Sequence, residues 1–262
     1  MLRYVGVNRR GPDFLLVGAQ KAGTTFLYRA LVKSSSRIVP AAKKEIHYFD
    51  GGIGRPRSKD MSPSQYCACF PRRPHYVLSG EASPQYLFHP RAAERIQAEY
   101  PSVKVIIILR DPVQRCLSHY AHEVRKGRES LPIEEALIRG GSEVNKLLAR
   151  EDFDHPALAH KSYLAKGLYS QQIQIYLDTF PISNILILNF KDLVERTDWM
   201  IFETSKFLGV DKDQPIGKVK MNQTQNKIAP KPKLMDYLES YYERDRAITS
   251  NLISSLDMPS AF

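Results

Sequence analysis

The chain has 262 residues, and its 38 Lys and Arg against 28 Asp and Glu give a formal net charge of +10. A hydrophobic content of 43% and a charged content of 25% are ordinary for a globular protein and exclude a disordered or fibrous chain. No apolar run approaches the roughly 18 residues that a membrane-spanning helix needs. The basic surplus favours an anionic ligand such as a phosphorylated nucleotide, an acidic glycan, nucleic acid or an anionic membrane.

Residues 1–11 are polar and basic and lack the apolar stretch of a secretory signal. Cys67 and Cys69 have no companion ligands at a zinc spacing, and one further cysteine does not make a disulfide framework. We therefore predict a cytoplasmic protein, and whether an N-terminal anchor belongs to it stays open. The length fits a single domain over residues 1–262, with its core at about 12–210 and a basic loop and helices at 211–262.

Four short apolar runs are typical of strands covered on both faces in a parallel sheet: 14–18, 105–109, 185–188 and a weaker one at 75–79. Helical patterns alternate with them: 24–32, 92–99, 112–125, 170–180 and 199–208. This alternation predicts an α/β fold, a three-layer sandwich with a central parallel sheet flanked by helices.

Three further segments have a distinct character. Residues 127–166 carry helical patches at 132–139 and 143–150 but no strand, so we predict an insertion over the sheet edge. Residues 51–57 hold three Gly, one Pro and two Arg and are typical of a mobile loop. Residues 212–233 hold six Lys against one Asp, which fits either a solvated loop or a flap over an anionic ligand, and a last helix is predicted at 234–244.

The turn after the first predicted strand is typical of a phosphate-binding loop. The spacing of Gly18 and Gly23 is that of G-x-x-x-x-G-K-[ST], but Thr24 stands where the lysine belongs and Lys21 lies inside the turn. Backbone N–H groups of such a turn and one ammonium can surround a phosphate at a helix N-terminus. The fold is therefore predicted to be P-loop-type, with a ligand other than ATP and Mg²⁺.

A second motif places Glu45 and His47 two residues apart. On an extended segment these side chains point to the same side, where they could take a proton from an acceptor hydroxyl and orient it. The alternative is a surface turn with a charged Glu and a partly packed His.

A third motif follows the strand at 105–109. Arg110 lies at its carboxyl end, Asp111 and Pro112 are typical of the N-cap and first position of a helix, and Ser118 follows two turns later. An arginine at a strand end and a serine on the next helix can clamp a phosphate. A nucleotide triphosphatase needs a carboxylate at that strand end to hold Mg²⁺, and the arginine would repel the metal.

Together these motifs resemble the sulfotransferases that use 3′-phosphoadenosine 5′-phosphosulfate, above all the branch with heparan sulfate sulfotransferases and related bacterial enzymes. The matching segments occur in the family's order and cover about residues 12–210: 20–25, 44–49, 80–86, 109–118 and 167–181. The resemblance implies sulfuryl transfer from that donor to a hydroxyl or amine, with adenosine 3′,5′-bisphosphate as product and no metal required.

The resemblance also implies roles for individual residues. The donor's 5′-phosphosulfate would be cradled by the turn residues Lys21, Ala22, Gly23, Thr24 and Thr25. Lys21 would stabilise the charge on the leaving phosphate, while Arg110 and Ser118 would hold the 3′-phosphate. Glu45 would be the general base, and His47 would assist it in the acceptor site.

Two departures from the heparan sulfate branch stand out. Ala82 takes the place of a lysine that helps catalysis in those enzymes, and their C-terminal cysteine pair and nucleotide loop have no counterpart here. We expect one of Lys227, Lys231 and Lys233 to reach the nucleotide, without choosing among them. The departures favour a soluble enzyme of the bacterial type.

Two other functions stay open at this stage, a P-loop kinase or nucleotide hydrolase and a non-catalytic binder of polyanions. The kinase or hydrolase does not account for the position of Lys21 or for Arg110 at the strand end. The polyanion binder should show a steep salt dependence and no preference for a 3′-phosphorylated nucleotide. The candidate acceptors are an acidic saccharide and a small-molecule alcohol. Aromatic residues do not interleave with a basic stripe, so we expect no nucleic-acid partner. His119 and His122 lack companion ligands, so we expect no metal site.

Overall fold

The computed structural model of this protein describes residues 9–51, 60–211, 213 and 230–256. Most of the predicted loop at 51–57 and of the basic run at 212–233, Lys227 included, lies outside the described residues. Lys231 and Lys233 lie exposed at the beginning of the last helix.

Within the described residues, the sheet has five parallel strands: β1 Phe14–Gly18, β2 Ile38–Pro40, β3 Leu78–Ala82, β4 Lys104–Leu109 and β5 Ile185–Asn189. Their order is β2-β3-β1-β4-β5. The α/β fold with a central parallel sheet is therefore confirmed. The strand predicted at 75–79 was placed three residues too early, and the three-residue β2 was not predicted.

The described helices, in chain order, are α1 Thr24–Ser34, α2 Pro63–Ala68, α3 Ala92–Glu99, α4 Pro112–Arg125, α5 Ile133–Ala149, α6 Pro156–His160, α7 Tyr169–Thr179, α8 Phe190–Glu195, α9 Thr197–Leu208 and α10 Pro232–Ser254. Helices α3 and α4 have the predicted bounds. The two patches predicted between 132 and 150 form the single helix α5, and the helix predicted at 234–244 extends to Ser254.

Helices cover the sheet on both faces. All five residues of β1 are buried, and because side chains alternate across a strand, neither face of β1 meets solvent. Helix α1 packs against α9, while α7 packs against α3 and α10. The insertion predicted over the sheet edge packs instead against α4 and α10, where Leu137, Tyr163 and Leu238 belong to a second, smaller apolar core.

The strand order determines where a ligand can bind. Strand β1 lies between β3 and β4, so the chain adds β2 and β3 on one side of β1 and then crosses to the other side for β4 and β5. In open parallel sheets, ligands bind at such a reversal, outside the carboxyl ends of the strands. The turn after β1 and Arg110 after β4 lie at this reversal.

Candidate active site

The turn between β1 and α1 forms an anion cradle. Lys21 and Gly23 have left-handed backbones, with φ of 71° and 86°. Glycine adopts this φ without strain, and a Cβ atom at Gly23 would also lie 2.6 Å from Leu193 Cδ2, so that a larger residue would displace the leucine side chain. Among the described residues, no backbone carbonyl accepts the N–H of Thr24 or Thr25, and the first turn of α1 holds no acidic residue. These amides and the positive end of the helix dipole favour a bound anion.

Positive charge converges on Lys21 in this cradle. Burial, followed by the charges of Arg125 and Arg110, lowers the pKa of the Lys21 ammonium from its usual 10.5 to about 8. Neighbouring cations lower one another's pKa, and an anion placed among them stabilises their charged forms. The cluster therefore fits a ligand that carries several negative charges.

Arg110 is fixed against the same turn. Its Nη1 donates a 3.0 Å hydrogen bond to the Lys21 carbonyl, and its guanidinium lies 4.7 Å from the centre of the Phe190 ring. The backbone is held from the other side, since Tyr169 Oη donates to the Arg110 carbonyl at 3.0 Å. A half-buried guanidinium held in this way keeps its remaining N–H groups for a second anion beside the turn.

The start of α4 is formed as the sequence predicts. Asp111 is the N-cap, its carboxylate accepts the Gln114 N–H at 2.9 Å, and Pro112 is the first helical residue. Ser118 lies half-buried two turns into α4, and among the described residues it makes no hydrogen bond to Arg110 or to the turn. The structure thus joins Arg110 to the Lys21 turn but does not join Ser118 to either.

Glu45 and His47 lie close together, as predicted, but the predicted extended backbone is wrong. Both residues have a φ of 60°, in the left-handed region. Even so, His47 Nε2 lies 3.8 Å from Glu45 Oε2. The other ring nitrogen, Nδ1, lies 2.6 Å from Oδ2 of the fully buried Asp50, which fixes the orientation of the imidazole. Sparsely populated backbone conformations of this kind cluster at functional sites.

The Glu45 carboxylate is ionised. Burial alone raises its pKa, but the hydrogen bond with His47 and the adjacent ammonium of Lys44 outweigh burial and hold the pKa at about 2. Glu45 is also, after Glu123, among the charges that act on the Lys21 ammonium, so the carboxylate lies within electrostatic range of the anion cradle. This arrangement places a proton acceptor next to an anion site.

A buried carboxylate that the sequence reasoning missed supports this segment. Four donors surround the fully buried Glu81 of β3, namely Tyr66 Oη at 2.7 Å, Ser83 Oγ at 2.7 Å, Tyr86 Oη at 2.9 Å and Ile46 N at 3.0 Å. Tyr86 Oη in turn accepts the Tyr48 N–H at 2.9 Å. The backbone next to Glu45 therefore depends on hydrogen bonds to the end of β3.

The two histidines of α4 do not face each other. His119 is fully buried against the ring of Tyr163, at 4.9 Å between centroids, whereas His122 contacts Arg125. In the described part of the chain, no group of three or more His, Cys, Asp or Glu is arranged to hold a metal ion. Independence from metal stays a prediction.

With this geometry in place, comparison with known proteins gives the family. The family model of the sulfotransferase domain matches residues 11–234, so the chain belongs to the sulfotransferase family of enzymes. The crystal structure of a sulfotransferase from Alicyclobacillus acidocaldarius superposes with a TM-score of 0.77 at 30% identity, covering 93% of this chain and 96% of that one.

Two curated relatives are longer than this chain. Heparan sulfate glucosamine 3-O-sulfotransferase 6 of Homo sapiens is 30% identical over 210 residues, which cover 78% of this chain and 54% of that protein. Membrane-associated sulfotransferase kil1 of Dictyostelium discoideum is 24% identical over 315 residues, with coverages of 93% and 65%. This chain thus spans about half to two thirds of their length. Within its described ranges, no helix has the length and apolar character needed to cross a membrane.

The hydrogen bonds around Glu81 lead to a stability prediction. Tyr86→Phe leaves the buried Glu81 carboxylate and the Tyr48 N–H each short of one partner. We expect the free energy of unfolding to fall by about 1–3 kcal/mol, measured by denaturant unfolding. Tyr237→Phe is the matched control, since that side chain is 50% exposed on α10 and the change should cost less than about 0.5 kcal/mol. Equal losses in the two variants would contradict the prediction.

Proposed function

We propose that this protein transfers the sulfuryl group of 3′-phosphoadenosine 5′-phosphosulfate to a hydroxyl or amine of an acceptor. One observation carries the proposal beyond family membership. Arg110 Nη1 donates a 3.0 Å hydrogen bond to the Lys21 carbonyl, so two cations lie together, and the ionised Glu45 is the weakest of the charges that act on the Lys21 ammonium. A donor held by the cations and an acceptor held beside the carboxylate would therefore meet at Lys21, which suits an in-line displacement.

The donor would lie along the cationic side of the site. Residues Lys21 to Thr25 would surround the 5′-phosphosulfate, with the N–H groups of Thr24 and Thr25 and the Lys21 ammonium as donors. Arg110, which is held against the turn, would bind the 3′-phosphate, and Ser118 is proposed as its partner from α4. The 3′-phosphate is the group that distinguishes this donor from ATP.

Acceptor activation is assigned to Glu45. As the acceptor oxygen bonds to sulfur, the bond between sulfur and the bridging oxygen of the 5′-phosphate breaks, and the hydroxyl proton passes to Glu45. His47, oriented by Asp50, would hold the acceptor oxygen or the protonated carboxyl. Lys21 would stabilise the charge that develops on the leaving phosphate. Because the hydrogen bond with His47 and the adjacent Lys44 ammonium lower the basicity of Glu45, proton transfer would be favoured if these contacts loosen when the acceptor binds.

For the acceptor we favour a saccharide that carries acidic groups. The support is the sequence similarity to heparan sulfate glucosamine 3-O-sulfotransferases and the net charge of +10. A small-molecule alcohol is the other candidate. The cytoplasmic location and the single domain stay predictions.

The general-base role of Glu45 can be tested by substitution. Glu45→Gln removes the proton acceptor but leaves the cradle intact, so we expect turnover to fall by about 10²-fold or more while binding of adenosine 3′,5′-bisphosphate survives. Transfer of labelled sulfate to a panel of unsulfated polysaccharides and alcohols measures the turnover.

A matched control is Glu99→Gln. Glu99 accepts a hydrogen bond from Tyr48 Oη at 2.8 Å, so it contacts the same segment as Glu45 but on the protein surface. Turnover should be close to wild type in this variant. If Glu45→Gln also turned over at the wild-type rate, Glu45 would not be the base.

Lys21 predicts how donor binding depends on pH. Its pKa of about 8 in the free protein must rise when an anion binds, so affinity is constant below pH 8 and falls above it as the free ammonium loses its proton. The limiting slope is tenfold per pH unit. Calorimetric titration with adenosine 3′,5′-bisphosphate from pH 7 to 9.5 measures the effect, and over this range the ligand's charge is constant because phosphate has a second pKa of about 6.

Lys21→Arg is the control for this titration, since a guanidinium stays protonated throughout the range. Its affinity is expected to be independent of pH, whatever its absolute value. A wild-type affinity that does not change between pH 7 and 9.5 would show that the Lys21 ammonium does not contact the ligand.

A further inference from the structure

Lys166 is a buried lysine that the proposed reaction does not use. It lies in the 3₁₀ turn Ala165–Gly167 just before α7, and only 2% of its surface is exposed. Its Nζ donates to Gln20 Oε1 at 2.8 Å and to the Ala159 carbonyl at 2.7 Å. Lysines are rarely buried to this extent unless they are paired, because removing an ammonium from water is costly.

The partner of Lys166 belongs to the anion cradle. Gln20 immediately precedes Lys21 in the turn after β1, and Lys166 is 146 residues further along the chain. The Lys166 Nζ also lies 5.6 Å from the centre of the Phe88 ring, which closes the space on another side. Burial, and after it the charge of Arg115, lowers the pKa of Lys166 well below its usual value. An amine in this place donates hydrogen bonds in fixed directions and has no access to solvent.

The segment around Lys166 also contacts the other half of the site. Three residues further on, Tyr169 Oη donates to the Arg110 carbonyl at 3.0 Å. The start of α7 is itself fixed from α10, where Asp245 Oδ2 accepts the Tyr169 N–H at 2.7 Å. Residues 165–169 therefore connect the turn that carries Lys21 to the strand end that carries Arg110.

We propose that Lys166 is a positioning residue that acts through Gln20 to hold the turn at residues 19–23 in its anion-binding conformation. Lys166 would then support the donor site from outside it, without touching the donor. The proposal rests on the proposed function, because it takes adenosine 3′,5′-bisphosphate as the anion. A merely structural lysine would instead stabilise the segment without acting through Gln20.

A double-mutant cycle separates these two roles. We expect Lys166→Met to weaken calorimetric binding of adenosine 3′,5′-bisphosphate about tenfold and to raise the donor KM more than it lowers kcat. Gln20→Ala should weaken binding to a similar extent. In the Gln20→Ala background, Lys166→Met should lower the affinity by less than a further twofold. The matched control is Lys161→Met, on the same segment but paired with Glu143 at 3.0 Å, which should bind like wild type.

Each other outcome overturns the proposal. If Lys166→Met lowers the affinity equally with and without Gln20→Ala, the lysine does not act through Gln20. If Lys166→Met binds the bisphosphate like wild type, the lysine has no effect on the cradle. If Lys166→Met fails to fold by circular dichroism, Gln20→Ala alone decides, and wild-type binding in that variant rejects the proposal. Failure of the wild-type protein to bind the bisphosphate would reject the proposed function and the role of Lys166 with it.

Discussion

The geometry of the site depends on the buried carboxylate of Glu81. A carboxylate with no exposed surface is costly unless donors surround it, and four donors within 3.0 Å meet this requirement. One of these donors is the backbone of Ile46, next to Glu45. The strand β3, rigid within the sheet, thus fixes the segment that carries Glu45 and His47, whose left-handed backbones would not persist unsupported.

A separation of charge follows from this constraint. The cations Lys21 and Arg110 converge at the carboxyl ends of β1 and β4, while the ionised Glu45 is held at the end of β3. Because β1 lies between the other two strands, Lys21 is central. Sulfuryl transfer needs little more than such positioning and charge stabilisation, since its transition state is loose and its sulfuryl group carries less charge than a phosphoryl group.

The sequence predicts strands that are continuous apolar runs, such as β1 and β4, and helices that begin with a typical N-cap, such as α4. Strand β3 was misplaced because Ser79 and Glu81 are fully buried polar residues within it, so its apolar signal is weak. Lys21 and Arg110 could be placed together because each follows a predicted strand, whereas Glu45 was predicted from its motif on an extended segment that its left-handed backbone does not form. The sequence could not predict the roles of Asp50, Glu81 and Lys166. A charged residue in a sequence suggests a solvated side chain, and only the fold reveals its buried partners.

The most direct test of the proposed sulfuryl-donor site is a thermal-shift titration with adenosine 3′,5′-bisphosphate, ADP and ATP, each with and without Mg²⁺. The bisphosphate should raise the midpoint by about 5–10 °C at a hundredfold excess over its Kd, without metal and well above ADP. Preference for ATP with Mg²⁺ would contradict a donor site at Lys21 and Arg110 and favour a kinase. Equal, steeply salt-dependent binding of all polyanions would instead indicate a non-catalytic binder.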